Sequence, residues 1–291
     1  MISVTTTGNP VIHVGFDGSW RETGAMEWAL QESRLRHLPL HAVHVIDEKL
    51  RDVPYWEPTV IDDAALELVK EVKQHLTTEA PAFDHDVDLV LGRPATTLAD
   101  LAAESQMVVV GRRGMGAFKR LMIGSTSEAV ANQASVPVVV VPEGWKPSDH
   151  TGPVLVGLDD SGENDDAIKF AVAIATERQV PLRMLHVWDL PGFYTWDAIN
   201  VDLSEEWQHF EDVARQWRAG YPELDIEAEV TRGHRVEGVI AAAESAGAQL
   251  IVVGGHRRRK LTAMLLGSVA RGVLHHATCP VAVVHARRDE T

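Results

Sequence analysis

Glycine, serine and arginine residues are concentrated in one segment of the chain at a spacing that suits a phosphate group. The segment has the sequence G-R-R-G at 111–114 and, after nine further residues, G-S-T-S at 124–127. Glycine permits positive φ and lets backbone amides approach a ligand, while a helix N-terminus and arginine side chains attract anions. Alternatively, the glycines only form a tight turn. The candidate phosphate-binding residues are Gly111, Arg112, Arg113, Gly114, Gly124, Ser125 and Ser127.

A carboxylate follows a short β-branched run in each half of the chain. VIHVGF at 11–16 precedes Asp17, and VLVGL at 154–158 precedes Asp159. Ligands of open parallel sheets bind beyond the carboxyl ends of the strands. If the first and fourth strands are neighbours, Asp17 and Gly111 approach one crevice, and Asp159 and Gly254 approach another.

The elements that position these residues occur twice in the same order. LHAVHVID at 40–47 returns as LRMLHVWD at 182–189, and SVPVVVVP at 135–142 returns as TCPVAVVH at 278–285. Asp17 and Asp159 lie 142 residues apart, and Gly111 and Gly254 lie 143 apart. This regularity predicts a tandem duplication of a domain of about 140 residues, long enough to bury its own core. We expect domains at 1–146 and 147–291, separated within the polar, turn-rich segment 143–152.

Strands and helices alternate within each copy, which predicts an α/β fold. The fourth and fifth strands are almost continuous valine, as is typical of parallel strands covered on both faces by helices. We therefore expect two tandem doubly wound domains, each with a five-stranded parallel sheet. For the first copy we predict strands at 11–16, 41–46, 86–92, 107–111 and 137–141. The first helix is expected to be capped by Ser19, and the other three are expected around 66–76, at 95–105 and at 127–134. Residues 47–62 are expected to form an irregular connection.

Composition excludes several classes of function. The net charge of −15 argues against a sequence-independent grip on nucleic acid or on an anionic membrane. The segment MISVTTTGNP has no features of a secretory signal, and no apolar run approaches the ~20 residues that span a bilayer. We therefore expect a soluble, cytoplasmic protein. Cys279 is expected to be an inert buried thiol.

Other notable side chains have structural explanations. His44 and His186 lie in apolar strands and are expected to be core residues with satisfied hydrogen bonds. No group of histidines, cysteines and aspartates has zinc-ligand spacing, so we expect no protein-held metal. The basic run 256–260 is interpreted either as a solvated turn or as a charged loop. The tryptophans expected to pack in the core or between the halves are Trp188, Trp196, Trp207 and Trp217, and the aromatics that could line a partner surface are Trp56, Phe193, Tyr194 and Trp196.

Together these features resemble the universal stress protein family. Residues 111–125 match its nucleotide signature, G-x2-G-x9-G-(S/T), without deviation, and the resemblance covers nearly all of both copies. It implies sheets of the adenine nucleotide alpha hydrolase-like type that bind ATP, with Mg²⁺ accompanying it, at the strand ends. By this resemblance Asp17 contacts the adenosine, with the Gly15 backbone close by, and the Val45 backbone contacts the base. Ser127 contacts a phosphate. The residues implied to surround the ribose and phosphates are Gly111, Gly114, Gly124 and Ser125.

The second copy departs from this pattern. Arg257 stands where the second signature glycine is expected, and Ala270 replaces the hydroxyl of Ser127. Arg257 either forces the loop onto another path or supplies a phosphate contact of its own. We expect the first site to be the better one and the second to be weaker, altered or empty. The candidate residues of the second site are Gly157, Asp159, Gly254, Gly267 and Ser268.

The resemblance implies an ATP-binding protein that regulates a response to stress or dormancy. It also implies that the domains pair through 138–141 and 281–284, that the chain forms a homodimer, and that an unidentified protein partner recognises the ATP-ordered loop. The alternatives are a nucleotide-free scaffold, a slow ATPase or nucleotide hydrolase, and a transporter's regulatory lobe. No Gly-x-Ser-x-Gly elbow, Walker lysine or Ser-Gly-Gly-x-Asp-Ser loop is present, and no general base accompanies the glycine loop, so hydrolysis is expected to be slow at most.

Overall fold

The structure, a computed structural model, describes residues 10–49, 58–114, 123–147, 152–189, 204–255 and 266–286. Its internal contacts divide the chain into two compact units, Met1–Pro147 and Ser148–Thr291. None of the helices in the described ranges has both the length and the hydropathy needed to cross a membrane.

The first unit is an α/β domain with five parallel strands. The strand order is β3-β2-β1-β4-β5. The strands are β1 (Val11–Gly15), β2 (Leu40–Asp47), β3 (His85–Gly92), β4 (Ser105–Gly111) and β5 (Val138–Val141). The helices are α1 (Trp20–Thr23), α2 (Ala25–Arg36), α3 (Pro58–Glu79), α4 (Pro94–Leu101) and α5 (Ser125–Gln133), with a 3-10 turn at Ala102–Glu104.

The second unit repeats this design. Its strand order is β10-β9-β6-β7-β8, and all of these neighbours are parallel. The strands are β6 (Val154–Leu158), β7 (Leu182–Trp188), β8 (Ile226–Arg232), β9 (Leu250–Gly255) and β10 (Val281–His285). The helices are α6 (Asp165–Arg178), α7 (Ser204–Gly220), α8 (Arg235–Ala246) and α9 (Ser268–His276). The predicted fold class, two tandem domains each with a five-stranded parallel sheet, is confirmed.

The core of the first unit lies where the valine runs predicted it. Every residue of Val108–Val110 and Val138–Val141 is at most 4% exposed. Helix α2 packs on β1, β4 and β5, while α4 packs against α5 and β2. Burial of this apolar surface, worth about 25 cal/mol per Å², holds β1 beside β4. Their carboxyl ends, which carry Asp17 and Gly111, therefore lie side by side, as the sequence predicted.

Several predictions of local structure are wrong. The helix expected from Ser19 is divided into α1 and α2 at Gly24, whose φ of 68° is left-handed, and the Ser19 side chain does not cap α1. Residues 58–62 of the expected irregular connection are already helical, and α5 begins at Ser125 rather than at residue 127. These errors share a cause, because tertiary packing extends or divides helices beyond what local propensity indicates.

The structure tests three of the tryptophans that were predicted to be packed. Trp207 is 50% exposed on α7, so its predicted core role is wrong. Trp188 and Trp217 are half-buried. Trp196, the aromatics Trp56, Phe193 and Tyr194, and the basic run 256–260 lie outside the described residues.

Candidate functional site

Asp17 is held at the end of β1 by the two residues that follow it. The backbone N–H of Ser19 donates to Asp17 Oδ1 at 2.9 Å, and the Ser19 hydroxyl donates to the same oxygen at 2.6 Å. The serine that was expected to cap a helix therefore orients the carboxylate, and one carboxylate oxygen is committed to this turn. In the second unit Ser161 makes the same two bonds to Asp159 Oδ1.

The structure brings Asp17 and the glycine loop together. A Cβ added to Gly114 would lie 2.2 Å from Asp17 Oδ2, and a Cβ added to Gly111 would lie 2.7 Å from Thr23 Cβ. Both glycines are therefore required for close approach. Gly111, Gly114 and Gly124 all lack positive φ, so left-handed backbone is not the reason for glycine at these positions.

The N-terminus of α5 faces the same loop. Its N-cap is Gly124, which makes no side-chain cap, and the first regular helical bond runs from Glu128 N–H to Gly124 O at 3.0 Å. The amides of residues 125–127 precede that bond and carry the positive end of the helix dipole. The Gly124 amide is directed elsewhere, because it donates to Arg112 O at 2.7 Å.

The Ser127 hydroxyl is committed to the backbone. It donates to Gly111 O at 2.6 Å, and the residue is 6% exposed. This bond ties α5 to the end of β4. The contact with phosphate that the resemblance implies for Ser127 would require this hydroxyl to give up Gly111, so the structure supports a positioning role instead.

Two arginines add positive charge to the loop. The pKa of Arg112 is lowered by burial first and by the neighbouring Arg113 second, while Glu143 acts in the opposite direction. Arg113 Nε lies 3.2 Å from Glu143 Oε1, and both side chains are partly exposed. An anion bound here would relieve the repulsion between the two guanidinium groups.

The end of β2 completes the crevice. His44 Nδ1 lies 2.9 Å from Phe16 O, and the equivalent His186 Nδ1 lies 3.1 Å from Leu158 O. Both histidines are therefore tied to the neighbouring strand. Only His186 is fully buried, and within the described residues its Nε2 makes no hydrogen bond, so the prediction of core histidines with satisfied hydrogen bonds is confirmed only in part. Val45 is 9% exposed, and Gly15 packs closely under Leu98.

The second crevice contains a charged cluster that the sequence did not reveal. Asp160 Oδ1 lies 3.3 Å from His186 Nε2, and Arg235 donates to Asp160 Oδ2 at 3.3 Å. The first unit has Gly18 at the position of Asp160, and this replacement of glycine by a carboxylate was the available signal.

The remaining candidates of the second unit share only part of the geometry of the first. Helix α9, like α5, has a glycine, Gly267, as an uncapped N-cap, which is followed by a serine, Ser268. Neither Gly157 nor Gly254 has an atom closer than 3.6 Å to an added Cβ, so the close approach seen at the equivalent glycines of the first unit is absent at these two positions. Arg257 lies outside the described residues. In the same unit, Cys279 is half-buried rather than fully buried as predicted. Desolvation nevertheless raises the pKa of its thiol to about 12, which is consistent with an inert thiol.

The family model described as "Universal stress protein family" matches residues 9–142 and again residues 150–285. A universal stress protein of Mycolicibacterium smegmatis is 34% identical over 298 residues, covering 95% of this chain and 97% of the relative. One from Mycobacterium tuberculosis is 33% identical over 290 residues, covering 93% and 95% of the two chains.

The fold is also found among solved structures. A universal stress protein from Archaeoglobus fulgidus aligns with a TM-score of 0.75 at 19% identity, covering 95% of this chain and 98% of its own. A universal stress protein of that organism in complex with dAMP aligns at 22% identity and a TM-score of 0.36, covering 46% of this chain and 98% of its own, a likeness too weak to transfer the ligand. The two family matches and the long curated relatives show that this chain belongs to the universal stress protein family, as a member with two domains in tandem.

Proposed function

We propose that the first unit binds ATP and that the bound nucleotide regulates the protein's interactions in a response to stress or dormancy. The observation that carries the proposal is the position of Asp17, whose carboxylate faces Gly114 across the crevice. The uncapped start of α5 and the pair Arg112 and Arg113 lie on the same glycine loop. A carboxylate opposite an electropositive loop suits a ligand with hydroxyls at one end and phosphates at the other.

Each group has a distinct part in this proposal. Asp17 accepts hydrogen bonds from the ribose hydroxyls, and the backbone of β2 near Val45 contacts the adenine. The amides at the start of α5, from Ser125 on, and the guanidinium of Arg112 bind the phosphates, with Mg²⁺ carried by the nucleotide. Gly15, Gly111 and Gly114 allow neighbouring side chains to approach the backbone around the crevice, and Gly124 is the N-cap of α5, which has no side-chain cap.

The second crevice is proposed to be the weaker site. Asp160 already accepts a hydrogen bond from Arg235 and lies 3.3 Å from His186 Nε2, so a nucleotide would have to accommodate or displace this cluster. The additional carboxylate also repels phosphate. Residues 1–146 and 147–291 are the proposed domains, and Gly157, Asp159, Gly254, Gly267 and Ser268 remain candidates for a site of altered specificity.

The proposed regulatory role depends on a nucleotide-driven shift between conformations of the glycine loop. A nucleotide that binds the ordered form of the glycine loop increases the population of that form, and a protein partner with differential affinity for it responds. The protein is proposed to act in the cytoplasm as a homodimer.

Matched variants of the two units test the proposal. Asp17→Asn and Asp159→Asn each remove one charge from carboxylates held by the same serine turn. Isothermal titration of the full chain with Mg·ATP should detect one strong site, weakened at least about tenfold by Asp17→Asn through loss of charge-assisted hydrogen bonds. Asp159→Asn should leave that site unchanged. Absence of binding, or equal effects of the two variants, would contradict the proposal.

A further inference from the structure

We propose that His41, Asp86 and Asp88 form a binding site for one divalent transition-metal ion of the zinc type. Each offers one ligand atom, and the three atoms lie within 4.8 Å of one another. Across the described ranges, this is the one group of at least three histidine, cysteine or acidic residues with that geometry. It lies at the start of β2 and β3, roughly 13 Å along β2 from Val45 at the nucleotide crevice, taking 3.3 Å per strand residue.

Strand register brings the three side chains together. His41 is the direct partner of Asp86, and Asp88 follows two residues later on the same face of β3. His41 Nε2 lies 2.8 Å from Asp88 Oδ2, while the N–H of Val87 donates to Asp86 Oδ1 at 2.8 Å and orients that carboxylate. The spacing His41, Asp86, Asp88 has no zinc signature in sequence, because the ligands come from two strands more than 40 residues apart.

The second unit supplies an independent indication that this edge of the sheet holds a cation. Arg183 stands in the place of His41, and its strand partner Glu227 stands in the place of Asp86. Arg183 Nε lies 3.2 Å from Glu227 Oε2, with Glu229 at the position of Asp88. A permanent guanidinium therefore neutralises the acidic pair in the second unit. The first unit keeps both carboxylates but replaces the fixed cation with a metal-binding imidazole.

A second histidine packs beside the site. His13 is the strand partner of His41, and the two ring centroids lie 5.0 Å apart. The Nδ1 of His13 is engaged by the hydroxyl of Ser105, so this ring nitrogen is already committed within the protein.

The donor set selects the ion. One imidazole nitrogen and two carboxylate oxygens suit Zn²⁺, which takes three protein ligands and a water, whereas Mg²⁺ and Ca²⁺ prefer oxygen donors alone. The His41 side chain is 26% exposed and that of Asp88 is 52% exposed, so an ion and its remaining water ligands can enter from solvent. Such an ion would cross-link β3, the outermost strand of this unit's sheet, to β2.

Zinc titration of the full chain without nucleotide tests the proposal. Isothermal titration with Zn²⁺ should give one site per chain that excess Mg²⁺ does not displace. His41→Arg, which copies the arrangement of the second unit, and Asp88→Asn should each weaken the site by at least about 100-fold, more than outer-shell changes do. His85→Gln is the matched control, because residue 85 is adjacent on β3 and points to the opposite face.

The outcomes separate a built site from incidental binding to other histidines. Zn²⁺ should raise the melting temperature of the wild type and of His85→Gln but not that of His41→Arg. Zinc binding that survives both His41→Arg and Asp88→Asn, or no binding in the wild type, would overturn the proposal. ATP affinity measured on the same variants should not change, so this test is independent of the proposed nucleotide site.

Discussion

Gly114→Ala is the substitution for which the structure makes the sharpest prediction. The added Cβ would lie 2.2 Å from Asp17 Oδ2, more than about 1 Å short of a normal contact. The carboxylate cannot move freely, because Oδ1 accepts two hydrogen bonds from Ser19. Relief of the overlap must therefore shift the loop or weaken bonds to a charged acceptor.

The expected effect is a modest loss of stability and a larger loss of nucleotide affinity. Weakening the two bonds costs about 1–3 kcal/mol. The reduced entropy of the unfolded chain offsets about 0.4–1 kcal/mol of that when alanine replaces glycine. The net loss should lower the melting temperature by about 2–4 °C per kcal/mol in a unit of this size. ATP affinity should fall at least about tenfold if Asp17 holds the ribose.

A double-mutant cycle in differential scanning calorimetry tests the cause. With Asp17→Ala the clashing oxygen is absent, so adding Gly114→Ala should cost little stability. Gly124→Ala is the control, because its Cβ would lie 3.4 Å from Arg112 O and its φ is −74°. The reasoning is refuted if Gly114→Ala is neutral, or if it costs the same with and without the Asp17 carboxylate.

Three further substitutions test the site and the core. Ser127→Ala should destabilise the first unit by about 1–2 kcal/mol in urea denaturation, because Gly111 O loses its buried donor, and should change ATP affinity less than about threefold. Burial, followed by the charge of His41, lowers the pKa of His13 to about 4 in the folded protein, whereas the imidazole of the unfolded chain has a pKa of about 6.5. As the pH falls, the unfolded chain therefore takes up a proton at His13 before the folded protein does. Stability should drop by about 2 kcal/mol between about pH 7.5 and about pH 5, and His13→Leu should remove that part of the slope. Glu143→Gln should raise ATP affinity about twofold to fivefold at low salt by releasing Arg113 from a partly exposed ion pair.

One specific result would contradict each of these predictions. A tenfold loss of ATP affinity in Ser127→Ala would show that the hydroxyl contacts phosphate. An unchanged pH slope in His13→Leu would place the titration elsewhere. An affinity that Glu143→Gln leaves unaltered at low salt would exclude Arg113 from the phosphate site.

The architecture was predictable because its signals are local and repeated. The valine runs at 107–111 and 137–141 indicate strands buried on both faces, and the constant offset between the copies indicates two domains with one strand order. The crevice was predictable too, since Asp17 and Gly111 each follow a strand and parallel strands end at one edge of a sheet. Helix boundaries were less accurate, because the division at Gly24 depends on how the chain packs after β1.

The hydrogen bonds and ion pairs between side chains could not be predicted from local sequence patterns. The bond from Ser127 to Gly111, the cluster around Asp160 and the convergence of His41 with Asp86 all join residues that are distant along the chain. Periodicity reports which face of an element is buried, whereas the partner of each polar group depends on the register of neighbouring strands. Local sequence patterns were therefore sufficient to predict two α/β domains and one glycine-lined crevice, while lateral packing between strands and helices set which donors and acceptors of that crevice are bonded within the protein.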